Sequence, residues 1–413
     1  MSSHILEEAR KCLGCKKPRC TAACPVSTEI PDVIRLFLSG EIDGAGEKLF
    51  NNNPLSVICS LVCPHEKQCE GNCVLNAKNN PVHFGDIENY ISNFYIHKAF
   101  SKSKIDKDKR VAIIGSGPAG ITISILLAQK GYNVTIFEAH DKIGGVLRYG
   151  IPEFRLSRDI LDNIKEKLVE MGVKIRPNTM IGPYITIDDL FRDGYKAVFI
   201  GTGVWNPRTL NIKGETFGHV HYGIDYLKNP DVYDLGDRVT VIGAGNAAMD
   251  VARTAIRKGA KEVYVMYRKG EIDAPADRVE VEYAKLDGVK FIYYKNPLEI
   301  LEDGIRYGET KEVFDEEGNR SVIEDKGKEG IFNTDSVIIA VSQGPRSNIV
   351  STTKGISTLS SGLVHVDESG RTSREGVFAS GDVVTGAKTV VEAVRLSKNV
   401  AEAIDEYVTS ILS

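Results

Sequence analysis

No cysteine follows Cys73 in a chain of 413 residues, so dithiol chemistry and disulfides are excluded from everything beyond the N-terminal segment. Met1 to Arg10 contain no apolar h-region, and no unbroken apolar run approaches the roughly 20 residues that cross a bilayer. A signal-led or membrane-spanning chain is therefore not expected, and a cytoplasmic location is. Excess charge is also lacking: the formal net charge is -4, and no basic patch is interleaved with aromatics. Neither nucleic acid nor an anionic membrane surface is then an expected partner.

What is present is length enough for two or three domains and 39 glycines, a mild enrichment that suits nucleotide-binding turns in an α/β enzyme. All eight cysteines are crowded into the first 73 residues. The same region carries apolar positions recurring at three and four over Ile30 to Phe37 and Ile87 to Ala99, which predicts a small helical domain. The run SKSKIDKDKR, residues 101–110, is polar and without period, and an apolar strand, Val111 to Ile114, begins where it ends. It reads as a linker.

One pattern then occurs twice: VAIIGSGPAG at Val111 to Gly120 and VTVIGAGNAA at Val239 to Ala248, each a buried strand, a glycine turn and a helix. In the first, Gly115 turns the chain, Gly117 admits a pyrophosphate to the backbone, and Gly120 packs helix on strand. Ser116, Pro118 and Ala119 complete the loop that leads into the helix N-terminus. Glu138 ends the next strand, VTIFE, 18 residues after Gly120, where a carboxylate can hold a ribose diol. In the second, Gly243, Ala244, Gly245, Asn246 and Ala247 form the loop, and Ala248 takes the third glycine's place. Its following strand, VYVMYRK, ends in Arg268 and Lys269. Two cations there would welcome an adenosine 2′-phosphate, favouring NADPH over NADH. VFIGTG (Val198 to Gly203) and VIIAVS (Val337 to Ser342) read as strands leading into crossings that bound an inserted domain. VFASGDVVTGAKTVVEAV (Val377 to Val394) reads as a strand, glycine loop and helix that complete the first one.

The thiols fall into two groups. Cys12, Cys15, Cys20 and Cys24 are spaced x2, x4 and x3; Cys59 and Cys63 are spaced x3, with Cys69 and Cys73 following. Such a density of soft ligands suits two 4Fe-4S clusters. Structural zinc competes, although paired zinc sites usually repeat one short spacing, and disulfides are disfavoured in a reducing compartment. Spacing does not assign a thiol to a cluster. His65, inside CPHEKQC, reads as a loop residue.

Taken in order, the double cysteine group, GSGPAG, GGVLRYGIPEFRL (Gly144 to Leu156), GAGNAAMD and the Gly381-Asp382 pair resemble one family over nearly the whole chain. That family contains the small (beta) subunit of bacterial glutamate synthase and the N-terminal half of dihydropyrimidine dehydrogenase. The large subunit of bifurcating NADH-dependent ferredoxin:NADP oxidoreductase looks similar too. The resemblance implies an α/β fold: a helical N-terminal two-cluster iron-sulfur domain, then two Rossmann-like domains, with an NADPH domain inserted in an FAD domain. The expected boundaries are 1–100 for the helical 4Fe-4S domain and 101–110 for the linker. Residues 111–205 and 343–413 form the FAD-binding domain, and 206–342 the NAD(P)H-binding domain.

The resemblance also implies that Cys12, Cys15, Cys20 and Cys73 hold one cluster. Cys24, Cys63 and Cys69 hold the other with Glu88 as a fourth ligand, leaving Cys59 spare; Cys59 could instead complete an all-thiolate site. It implies contacts to FAD from Gly145, Val146, Arg155, Gly381, Asp382 and Thr389, the last at the pyrimidine end of the flavin. Two positions depart from the family pattern: Ser342 stands where many relatives have glycine, and Pro275 where one relative carries an arginine near the 2′-phosphate, a role Arg278 could take over.

Hydride transfer from nicotinamide to flavin needs stacking and distance rather than a general base, and no catalytic residue is expected. The expected function is that of an electron-input oxidoreductase resembling the glutamate synthase beta subunit. It takes hydride from NADPH onto FAD and passes single electrons through the clusters to a redox partner, either a large catalytic subunit or a ferredoxin-like acceptor, in a hetero-oligomer. The alternatives are a bifurcating transhydrogenase subunit using ferredoxin and a non-catalytic docking subunit. An autonomous disulfide reductase is excluded by the absence of cysteine beside the nucleotide sites.

Overall fold

Val111 to Ile114 are apolar and buried, as expected of a parallel strand covered on both faces. They lie in the centre of a five-stranded parallel sheet in the order Val377–Ala379, Ala197–Ile200, Asp106–Ile114, Tyr132–Phe137, Lys174–Arg176. The structure, a computed structural model, describes residues 3–98 and 103–413. A second parallel sheet has the order Val220–Tyr222, Ser336–Ile339, Arg238–Ile242, Glu262–Tyr267, Lys290–Tyr293. Both sheets have the strand-turn-helix units read from the two fingerprints at their centres.

The chain divides into two compact units. One comprises Met1–Arg148, Glu153–Val204 and Pro345–Ser413; the other comprises Trp205–Gly344 with Tyr149–Pro152. The second begins at Trp205 and ends at Gly344. Asn206–Pro207 pairs antiparallel with Gln343–Gly344, which ties the two crossing segments into the inserted unit. This unit also carries a three-stranded antiparallel sheet, Lys295–Ile300, Gly304–Phe314 and Arg320–Asn333.

In the first unit, the helical segment comprises Ser3–Arg10, Arg19–Ala23, Ile30–Leu38, Ile42–Asn52, Ser56–Val62 and Phe84–Ile96. Ile30, Val33, Ile34 and Phe37 line one face of their helix and pack with Leu49, Phe84, Ile87 and Ile91, following the i, i+3, i+4, i+7 pattern. The helix expected over Ile87 to Ala99 begins earlier, at Phe84, because Phe84 joins this core; Ala99 lies outside the described residues. The expected linker also differs. The first strand starts at Asp106, which pairs with Tyr132 before the register shifts at Arg110; residues 101–102 lie outside the described residues. No described helix is long and apolar enough to cross a membrane.

The loop after Val377–Ala379 contains a one-turn helix, Asp382–Thr385, before the C-terminal helix Val390–Leu412. Thr389 caps the latter through a reciprocal capping box with Glu392, which satisfies donors that the first turn leaves free. Val391, Val394, Val400, Ala401, Ile404 and Val408 are buried along it.

Candidate functional site

The first glycine turn is built to its dimensions by neighbouring backbone. A Cβ on Gly115, whose φ is +95°, would stand 2.6 Å from the Gly201 carbonyl oxygen, and one on Gly120 would stand 2.0 Å from that of Gly115. Gly117 meets nothing within 4 Å. The outer glycines thus serve packing, while the middle one faces open space at the N-terminus of Pro118–Gln129, which is the cradle a pyrophosphate needs.

Three more of the sequence-predicted positions gather on this turn. A Cβ on Gly145 would come within 2.8 Å of the Gly117 Cα, and one on Gly381 within 3.1 Å of the Ala119 Cβ. The Gly144 N–H donates to the Ser116 carbonyl at 3.0 Å. Glu138, 4% exposed, accepts the Ser116 N–H at 3.0 Å and the His140 N–H at 2.8 Å, and also the Ser116 hydroxyl. Burial alone would raise its pKa, but the hydrogen bonds from His140 and Ser116 outweigh that and hold the carboxylate below its ordinary range. A ribose diol would therefore meet an ionised acid. His140 was not anticipated; its signal is only a position two residues beyond the strand-end acid.

Asp382 lies on the same loop system. Burial pushes its carboxyl up to about 6 against the Lys388 N–H, which donates to it at 3.2 Å, with Glu392 adding repulsion. Val146 begins the one-turn helix Val146–Tyr149 and is half-buried, as is Arg155.

In the other unit, Gly243 has φ +126°, and a Cβ there would stand 2.4 Å from the Ala340 carbonyl oxygen. Gly245 meets only the Pro275 Cγ, at 4.0 Å. Ala248 is fully buried, so an alanine fits where the first turn requires glycine. The Asn246 amide exchanges two bonds of 2.8 Å with Asp277, and the Ala276 N–H donates to the Ala244 carbonyl at 3.1 Å; the 274–277 segment is thereby pinned to the turn. Ala247 enters the helix Asn246–Arg257. Beyond the next strand Arg268 is exposed and Lys269 half-buried, and neither joins an ion pair among the described residues. Ser342 has φ +86°, a glycine-like conformation at the position where the resemblance leads one to expect glycine.

The cysteines form two neighbourhoods. Cys12, Cys15, Cys20, Cys69 and Cys73 line one cavity, with Ile30, Ile34 and Phe84 as apolar wall; the cavity does not separate Cys69 from the other four. Burial raises the Cys12 and Cys20 thiols, and each feels Cys73. Burial raises Cys69 as well, with Glu88, Glu70 and Cys24 as charged neighbours. Cys63 is raised first by its neighbour Cys59, then by burial, with Glu88 and Cys69 nearby. Glu88 is 5% exposed, and no hydrogen bond reaches its carboxylate among the described residues; burial, then Cys59 and Glu70, raise its pKa well above the ordinary value. A buried carboxylate without donors is unfavourable unless it is protonated or bound to a metal.

The donor chemistry fits clusters better than a point ion. A tetrahedral zinc with Zn–S of about 2.3 Å needs its sulfurs nearly in contact. Five thiols set around one apolar cavity are a donor set that suits a multi-iron group. His65 is a half-buried residue of the loop between Cys63 and Cys69, and its buried Nε2 has no hydrogen-bond partner.

The sequence pattern of the pyridine nucleotide-disulphide oxidoreductase family matches residues 77–190 and 109–397. That of dihydropyrimidine dehydrogenase domain II, 4Fe-4S cluster, matches residues 1–100. The chain is 35% identical to the glutamate synthase (NADPH) small chain of Halomonas elongata, over 97% of this chain and 90% of that protein. It is 31% identical to the NAD-dependent dihydropyrimidine dehydrogenase subunit PreT of Salmonella typhimurium, over 99% and 95%. The solved structure of FprA from Mycobacterium tuberculosis in complex with NADPH matches with a TM-score of 0.62 at 18% identity, covering 74% of this chain and 85% of that one. At that identity the likeness is one of fold.

Proposed function

We propose, because the chain belongs to the pyridine nucleotide-disulphide oxidoreductase family and groups with the glutamate synthase small chains, that it passes electrons from NADPH to a partner protein. The chain is an FAD- and NAD(P)H-dependent iron-sulfur oxidoreductase of that kind. When bound, NADPH supplies a hydride, FAD accepts it as an electron pair, and two 4Fe-4S clusters take electrons one at a time.

The residues divide this work by position. Gly115, Ser116, Gly117, Pro118, Ala119 and Gly120 seat the FAD pyrophosphate, Glu138 its ribose, and Gly145, Val146, Arg155, Gly381 and Asp382 the remainder. Thr389 aims the positive end of Val390–Leu412 toward the flavin ring, where it favours added negative charge. Gly243 to Ala247 seat NADPH, and Arg268 and Lys269 pair with its 2′-phosphate. Residues 1–100 hold the clusters: Cys12, Cys15, Cys20 and Cys73 one, Cys24, Cys63, Cys69 and Glu88 the other. Residues 111–205 with 343–413 bind FAD, and 206–342 bind NADPH.

The observation that carries this assignment is a single helix. Val390–Leu412 is capped by Thr389 at the loop of Asp382 and also reaches the cysteine segment, where the Lys398 Nζ donates to the Asn52 Oδ1 at 2.7 Å. One continuous helix thus joins the Asp382 loop to the cysteine segment, which supports the reading that both belong to one electron path. The acceptor is a large catalytic subunit or a ferredoxin-like protein in a hetero-oligomer; the names of the relatives, a small chain and a subunit, support the need for a partner. Analysis of the anaerobically prepared chain tests the cofactor assignment. About eight irons with one FAD per chain support it; zinc in the place of iron contradicts it.

A further inference from the structure

Lys398 projects from the C-terminal helix, half-buried, and no ion pair engages it among the described residues. Its pKa is lowered by burial, an effect that Cys24 opposes. The other cations of the shared cavity differ: Lys48 is paired with Glu29 and Asp32, and Arg395 is exposed. Among the described residues, then, a cation lodged between the cysteine segment and the C-terminal helix has no ion-pair partner, the Glu29 carboxylate of the same cavity being taken by Lys48.

A chain of polar groups leads from it to sulfur. The Lys398 Nζ lies 2.7 Å from the Asn52 Oδ1, the Asn52 Nδ2 lies 3.2 Å from the Thr28 Oγ1, and that oxygen lies 3.4 Å from the Cys24 Sγ. The directions are forced. An ammonium can only donate, so it must face the amide oxygen, which turns the amide nitrogen toward Thr28. Thr28, 3% exposed, thus accepts from Asn52 and has its own hydrogen free. With Cys24 as a thiolate the hydroxyl must donate to sulfur, and all three bonds then point toward it. Hydrogen bonds to a ligand sulfur and nearby positive charge both favour the more negative, reduced form of a cluster.

We propose that Lys398, acting through Asn52 and Thr28, sets the reduction potential of the cluster that Cys24 ligates, drawing the electron toward the side of the module that faces the flavin helix. This rests on the assignment of Cys24 as a ligand. Lys398 is a positioning residue: it touches neither substrate nor the cluster.

The test is a potentiometric titration of the full-length holoprotein, followed by electron paramagnetic resonance, for the unmodified chain and for K398Q, K398R, T28V and T28S. K398Q and T28V are expected to lower the potential of the same single cluster, leaving the other cluster and the flavin unmoved. For K398Q the ratio of reduced to oxidised form at a fixed potential should fall on the order of tenfold, which is 59 mV for a one-electron couple. K398R and T28S, which keep the charge and the hydroxyl, should stay near the unmodified chain. Unchanged cluster potentials in K398Q, or equal shifts in both clusters and the flavin, would overturn the proposal. An unmodified chain without two iron-sulfur signals would instead remove the two-cluster assignment on which it stands.

Discussion

The Glu138 Oε2 accepts the backbone N–H of Ser116 at 3.0 Å, so the acid at the end of one strand is tied to the middle of the glycine turn that follows its neighbour. The bond orders the turn and keeps the carboxylate ionised. Because its pKa is depressed, Glu138 contributes stability that is fully present above the ordinary glutamate value of 4.5 and is lost as pH falls through the depressed one. E138Q should therefore flatten the acid-side loss of thermal stability below about pH 4.5. It should also weaken FAD binding by about tenfold or more, the usual worth of a hydrogen bond to a charged group. Melting curves across pH and flavin titration of the apoprotein check both; an unchanged FAD affinity would remove Glu138 from the site.

Asp382 has the opposite sign. Its pKa of about 6 lies above the ordinary 3.8, so the folded chain binds more protons than the unfolded one between those values. The contribution of Asp382 to stability is then greatest below pH 3.8 and declines as pH rises toward 6, by about 3 kcal/mol at 1.36 kcal/mol per unit. Flavin-free D382N should lack this decline and melt higher than the unmodified apoprotein at pH 7. Parallel pH profiles for the two would contradict the burial of a charge there.

Glu88 and Cys59 compete for one ligand position, and the structure separates their circumstances. The Cys59 thiol is held below its ordinary range by Cys63 and, to a lesser degree, Asn53, whereas the Glu88 carboxylate has no donor among the described residues and is raised by burial. C59S should keep about eight irons and both resonance signals, and E88A should lose or alter one signal. The reverse outcome would make Cys59 the ligand.

Arg268 and Lys269 follow the strand Glu262–Tyr267 in place of the acidic residue at Glu138. R268A/K269A should raise KM for NADPH by about tenfold or more while leaving KM for NADH near its original value. Equal losses with the two nucleotides would mean that the pair serves the fold rather than the 2′-phosphate.

The parts of the structure legible in the sequence are those whose cause is local. Gly115 and Gly120 announce a tight strand-turn-helix, Ile30, Val33, Ile34 and Phe37 announce a buried helix face, and Thr389 announces a cap. The antiparallel sheet over Lys295–Ile300, Gly304–Phe314 and Arg320–Asn333 was not legible. Its last strand is mostly exposed, so it shows neither the alternation of a half-buried strand nor an apolar run. Asp106 joins its strand only by pairing with Tyr132, a long-range contact without local pattern. The same holds for Lys398 and Asn52, which lie 346 positions apart. The cysteines marked the module, but neither spacing nor composition reveals which cation lies behind which sulfur.

The most direct test of the central claim is anaerobic titration of the purified holoprotein with NADPH, followed by optical and low-temperature electron paramagnetic resonance spectra. If electrons run from NADPH through FAD into the cysteine module, flavin absorbance bleaches and signals of reduced clusters grow with added NADPH. Flavin that bleaches while iron-sulfur clusters, shown to be present and reducible by dithionite, stay oxidised at every ratio of NADPH would contradict the claimed path.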